Sequence, residues 1–110
     1  DVATCDLVIE AVQEDPDIKK ELLSDLDKLC HPQAILASNT STLSITELAA
    51  ATQRPERVIG LHFLSPVVRV EVVEIVRGLK TSEETFEAVK RFVKNLDKVG
   101  VEVHDSPGSF

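Results

Sequence analysis

Hydrophobic and polar positions follow two rhythms along the 110 residues. Short apolar runs, rich in β-branched residues, recur at 6–12 (DLVIEAV), 34–38 (AILAS), 57–63 (RVIGLHF), 70–76 (VEVVEIV) and 99–104 (VGVEVH). Their length and bounding turn residues predict strands, the first in the style of a buried parallel strand. Between them apolar residues recur at helical spacing. Asp15-Pro16 supplies an N-cap and a proline at the first helical position, and Ile18, Leu22, Leu26 and Leu29 then share one face until Pro32 ends the helix. Leu43, Ile45 and Leu48 with Ala49, Ala50 and Ala51 predict a short helix closed before Pro55. Thr81 with Glu84 reads as a capping box, followed by an apolar stripe of Phe86, Val89, Phe92, Val93 and Leu96.

Strands alternate with helices, so the class is α/β with a largely parallel sheet. The third and fourth strands are an exception. Only about six residues join them, around a bend at Ser65-Pro66, too few for a crossover helix, so that pair is expected to be antiparallel. No internal repeat and no linker divides the chain.

Composition narrows the function classes. Apolar residues make up 43% and charged residues 28%, as in a globular protein, and no apolar run approaches the roughly 20 residues of a membrane span. No basic leader with a following apolar stretch is visible. A net charge of −7 argues against nucleic acid as a partner, because phosphate binding needs a basic face. Cys5 and Cys30 form no CxxC and have no His at metal-ligand spacing, so they read as reduced thiols of an intracellular protein, with no metal site.

Candidate chemistry gathers where ligands bind in open α/β sheets, beyond the carboxyl ends of the strands. Glu10 and Glu14 close the first strand, Asn39-Thr40-Ser41 the second, and His62 to Ser65 the third. Asn39-Thr40-Ser41 also fits a glycosylation sequon, which needs a secreted protein that nothing else supports. A plainer reading is that one of these residues caps the following helix. If the runs around 62 and 74 fold back on each other, His62 falls opposite Glu74, on the face of Val70, Val72 and Val76. A carboxylate among valines is costly unless paired, and an imidazole is the obvious partner. Such a pair fixes the ring tautomer and leaves the other nitrogen as a base; the residues are equally consistent with a buried, purely structural His–Glu pair or with Glu74 at an exposed edge. His31, at a helix end, suits a solvated or dipole-compensating role, and His104 reads as surface. No glycine-rich phosphate loop is present.

Taken together, VIEAVQEDPDIKKELLSDLDKL, ILASNTSTLSITELA, RVIGLHFLSP, VEIVRG with TSEETFE, and the closing DSPG resemble the 3-hydroxyacyl-CoA dehydrogenase family, with the 3-hydroxybutyryl-CoA dehydrogenase group closest. The resemblance covers nearly the whole chain. SNTS and GLHF, with a glutamate twelve residues after the histidine, carry most of its specificity. It implies NAD-dependent oxidation of a (3S)-hydroxyacyl-CoA to the 3-ketoacyl-CoA, in fatty acid or butanoate metabolism. By the same resemblance His62 is the general base, Glu74 orients and charges its ring, and Ser41 hydrogen-bonds the substrate oxygen. Asn39 falls near the nicotinamide, Glu14 and Lys19 contact the coenzyme on its nicotinamide ribose side, and Ser65 takes the place of a family asparagine as a further coenzyme contact. Other departures are Asp97, where the family commonly has glycine, and Pro-Gly-Ser-Phe in place of Pro-Gly-Phe.

The resemblance further implies that residues 1–110 are a partial NAD-binding domain, the second half of a Rossmann-like doubly wound sheet. The glycine-rich first half and a C-terminal helical domain are not in the chain. An isolated fragment of this kind is expected to be inactive, and to form a homo-oligomer or associate with the halves it lacks. The location is intracellular: cytoplasmic in a bacterium, mitochondrial or peroxisomal in a eukaryote. The rival reading is a non-catalytic α/β interaction or regulatory module that keeps the fold.

Overall fold

Asp15 starts the first helix as expected: its Oδ1 accepts the amides of Asp17 and Ile18 at 2.9 and 3.1 Å, and Pro16 opens α1 (Pro16–Leu29). The computed structural model describes residues 6–40, 42–63, 72–96 and 99–104. In chain order the other elements are β1 (Leu7–Glu10) before α1, then β2 (Ile35–Ser38), α2 (Ile45–Ala49), β3 (Val58–Phe63), β4 (Val72–Arg77), α3 (Glu83–Asn95) and β5 (Val99–His104), with a 3₁₀ turn at Pro55–Arg57.

The strands form one sheet in the order β1-β2-β3-β4-β5. All neighbours are parallel except β3 and β4, which are antiparallel, as the short connection demands. Register follows strand alternation. Ile35, Ala37, Ile59, Leu61, Val73 and Ile75 face α3, where Phe86, Val89 and Val93 close the core. Leu36 and Val58 face α1 and α2, against Leu23, Ile45 and Leu48. Gly60 lets α2 settle on the sheet: a Cβ there would lie 2.8 Å from Ile45 Cδ1 and 2.9 Å from Val76 Cβ. Among the described residues β1 is paired on one side only, by β2.

Four details differ from the sequence expectations. β1 ends at Glu10 rather than Val12, because the Val12 amide turns back to Glu10 Oε1 at 3.1 Å. The buried residues of α1 are Lys19 and Leu23, while Ile18 and Leu29 are exposed, so the helix is rotated from the predicted stripe by about one position. The cap of α3 is Ser82, whose Oγ accepts the Thr85 amide at 3.1 Å. Thr81 is instead buried, donating to the Val58 carbonyl at 2.7 Å and accepting the Gly78 amide at 2.9 Å, so its hydroxyl ties the β4–α3 turn to β3. Finally, Glu74 lies on the less covered face of β4: Val73 and Ile75 are fully buried, whereas the Glu74 side chain is 38% exposed. Val70 and the Ser65-Pro66 bend lie outside the described residues, as do Cys5, Asp97 and the 105–109 turn.

Arg54, which no sequence pattern singled out, clamps the end of α1. Its guanidinium donates to Asp27 Oδ1 at 2.6 Å and to the carbonyls of His31, Ala34, Asp27 and Cys30 at 2.7, 2.9, 2.9 and 3.2 Å. It satisfies the Asp27 carbonyl, which the helix end leaves without an intrahelical donor, and ties it to the carbonyls of the cap residue and of the turn that leads to β2. No described helix is long and apolar enough to cross a membrane.

Candidate active site

Because β1, β2 and β3 are parallel, their carboxyl ends share one edge of the sheet, and the antiparallel β4 begins at that edge beside β3. The even-numbered residues Glu10, Ser38 and His62 point to the α1/α2 side there, as does Glu74 from β4. The edge therefore carries polar groups on one face, with helices covering only part of it.

His62 and Glu74 are direct cross-strand partners, and His62 Nδ1 lies 2.9 Å from Glu74 Oε1. An ionised carboxylate can only accept, so Nδ1 carries the proton and donates it. Nε2 is then the nitrogen able to take a proton, with the Glu74 charge in place to stabilise the resulting imidazolium. Both side chains are half-buried, at 28% and 38% exposure, so a ligand can reach the ring.

Deeper at the same edge is a buried polar network. Lys19 is fully buried and its ammonium meets four oxygens: Glu10 Oε1 and Oε2 at 2.8 and 3.0 Å, the Val12 carbonyl at 3.1 Å and the Asn39 carbonyl at 3.2 Å. Glu10 Oε2 also accepts the Ser38 hydroxyl. Three N–H donors facing four acceptors leave the ammonium saturated inside the protein. This links β1, β2 and α1 through a charge pair that is stable only because each charge is fully hydrogen-bonded.

Glu14 reaches from the β1–α1 turn to the turn after β2. Its Oε2 accepts Thr40 Oγ1 at 2.6 Å, Thr42 Oγ1 at 2.8 Å and the Thr42 amide at 3.1 Å, and its Oε1 is 3.8 Å from Lys19 Nζ. Thr40 Oγ1 in turn accepts the Leu43 amide at 3.0 Å. The expected capping within 39–41 thus falls on the turn that leads into α2, and Ser44 caps the helix itself.

The structure brings Glu14, Lys19, Asn39, His62 and Glu74 to one edge. Ser41 and Ser65 lie outside the described residues. His31, whose Nε2 is 3.1 Å from Asp6 Oδ1, and exposed His104, 3.2 Å from Glu102, lie at the opposite edge. His31 Nδ1 accepts the Gln33 amide at 3.2 Å in the turn after α1. Sequence reading missed Thr42 and the Glu10–Lys19–Ser38 network. The available signal was Glu10 at the end of an apolar strand, a buried carboxylate in need of a cation.

The donor set suits part of a dinucleotide. The N-terminus of α1 is capped by Asp15 and carries Asp17 in its first turn, an arrangement that disfavours phosphate. A carboxylate at the edge, Glu14, instead suits hydroxyl donors such as a ribose diol. Among the described residues no group of three or more His, Cys, Asp or Glu is arranged to hold a metal ion.

A family model described as 3-hydroxyacyl-CoA dehydrogenase, NAD binding domain, matches residues 1–106. The chain is 52% identical over 103 residues to a probable 3-hydroxybutyryl-CoA dehydrogenase of Bacillus subtilis, covering 94% of this chain and 36% of that protein. It is 47% identical over 108 residues to a fatty acid oxidation complex subunit alpha of Psychrobacter cryohalolentis, covering 98% of this chain and 15% of that protein. Among solved structures, the (S)-3-hydroxybutyryl-CoA dehydrogenase of Ralstonia eutropha superposes with a TM-score of 0.90 at 45% identity, over 97% of this chain and 38% of that one. The chain therefore spans well under half the length of these relatives.

Proposed function

Since the chain belongs to the family of 3-hydroxyacyl-CoA dehydrogenase NAD-binding domains, we propose that it is the catalytic part of that domain in a longer enzyme oxidising (3S)-hydroxyacyl-CoA to 3-ketoacyl-CoA. The observation that carries this reading is the His62–Glu74 pair at the edge where ligands meet an α/β sheet. NAD bound at this edge, with Glu14, Asn39 and Ser65 as the residues that would hold it, would supply the hydride acceptor for the carbon that bears the hydroxyl. His62 Nε2 takes the hydroxyl proton, and Glu74 holds the ring and stabilises the imidazolium. The proton and the hydride together account for the two hydrogens lost as the alcohol becomes a ketone. In the reverse direction the imidazolium returns the proton to the carbonyl oxygen.

Ser41 is proposed as the donor to the substrate oxygen, and Asn39, Glu14 and Ser65 as coenzyme contacts. Lys19 belongs to the same edge, but its saturated ammonium supports an indirect role. Acyl-CoA is the proposed substrate partner, and a bacterial source implies the cytoplasm.

The test is formation of NADH from (3S)-hydroxybutyryl-CoA by the full-length protein that carries this chain. Stoichiometric NADH and 3-ketoacyl-CoA are expected. A well-folded full-length protein with no such turnover would favour the interaction-module reading.

A further inference from the structure

We infer that Thr40 and Thr42 are positioning residues for the coenzyme, holding Glu14 in the attitude in which its carboxylate meets the ribose. The inference rests on the proposed reading of Glu14 as a coenzyme contact. Glu14 is a partly exposed side chain, 35% accessible, on a turn between β1 and α1. A glutamate in that setting samples several rotamers, and fixing it at the moment of binding costs affinity.

Here the cost is met before any ligand arrives. Two threonine hydroxyls and one amide converge on a single oxygen, Oε2, at 2.6 to 3.1 Å. Hydrogen bonds to an ionised acceptor are the stronger kind. Behind them Lys19 lies 3.8 Å from Oε1 and is itself immobilised by Glu10 and two carbonyls. The carboxylate is thus held from the β2–α2 turn on one side and from α1 on the other. The same clasp joins the turn that follows Asn39 to the turn carrying Glu14, so the proposed coenzyme contacts Asn39 and Glu14 are tied together.

Thr42 is the residue to change, because it is exposed, whereas Thr40 is buried and also holds the Leu43 amide. In the full-length protein, Thr42→Val keeps the shape and the backbone amide but removes the hydroxyl donor. The NADH dissociation constant is expected to rise about three- to tenfold, with kcat changed by less than about twofold. Thr42→Ser, which restores the donor, is expected to return the affinity to within about twofold of the unsubstituted protein. In a Glu14→Ala background Thr42→Val is expected to add nothing. Unaltered NADH affinity in Thr42→Val overturns the inference, as does equal impairment in Thr42→Ser, or full additivity with Glu14→Ala. Failure of the unsubstituted protein to bind NADH overturns the coenzyme reading itself, which separates the two failures.

Discussion

His62 and Glu74 face each other directly across the antiparallel ladder of β3 and β4, with Nδ1 2.9 Å from Oε1. The hydrogen bond is a consequence of register. Shifting either strand by one residue would turn one of the two side chains to the α3 side of the sheet, where Leu61, Val73 and Ile75 are fully buried. The apolar residues that fix the register therefore also fix the pair.

Glu74 is expected to act through His62. Glu74→Gln keeps an acceptor for Nδ1 but removes the charge that favours imidazolium, so turnover should fall. In the double variant with His62→Gln the Glu74 change should have almost no further effect. Steady-state kinetics on the two single variants and the double variant decide the matter. Losses that simply multiply would show that the two residues work independently.

Arg54 is expected to be among the costliest surface-adjacent residues to remove. It and Asp27 form a nearly buried pair, at 8% and 9% side-chain exposure, and its other donors satisfy four carbonyls. Arg54→Ala should cost on the order of 3–5 kcal/mol in urea denaturation of the full-length protein. Arg54→Lys should recover only a minor part, since an ammonium cannot reproduce the planar fork of donors. A loss below about 1 kcal/mol for Arg54→Ala would place the clamp among ordinary surface contacts.

Most of the architecture was legible in the sequence because it depends on local rules. Asp15-Pro16 starts α1, the short 63–72 connection forces β3 and β4 antiparallel, and strand alternation places His62 opposite Glu74. Legibility failed where a charged residue fills a core position. Lys19 occupies the buried face of α1, and its burial makes sense only once Glu10 from β1 is beside it, a contact invisible to periodicity. Thr81 failed for a related reason: its hydroxyl is drawn to the distant Val58 carbonyl, which leaves the cap to Ser82. The Glu14 clasp spans 26 to 28 residues, so no local motif announces it. The proposed chemistry rests on the resemblance carried by SNTS and GLHF; the geometry alone fits any His–carboxylate base.

The isolated 110-residue chain is expected to self-associate. β1 has one described partner strand, and Ile9, Val12 and Ile18 are 37%, 38% and 39% exposed around it. Unpaired edges with nearby apolar surface favour association. Size-exclusion chromatography with light scattering should report species larger than the monomer, and Ile9→Lys should shift them toward it. The same chain should bind NAD poorly, because the N-terminus of α1 is acidic and no glycine-rich phosphate loop is present. A clean monomer at high concentration would contradict the edge argument, and micromolar NAD affinity in titration calorimetry would contradict the second.

The most direct test of the proposed chemistry is turnover of a short (3S)-hydroxyacyl-CoA by the full-length protein with His62→Gln. Glutamine can still donate a hydrogen bond toward Glu74 but cannot take the hydroxyl proton. If His62 is the general base, kcat should fall by about 10²–10⁴ with the fold and NADH binding intact. Activity within about threefold of the unsubstituted protein would contradict the assignment and leave His62–Glu74 as a structural pair.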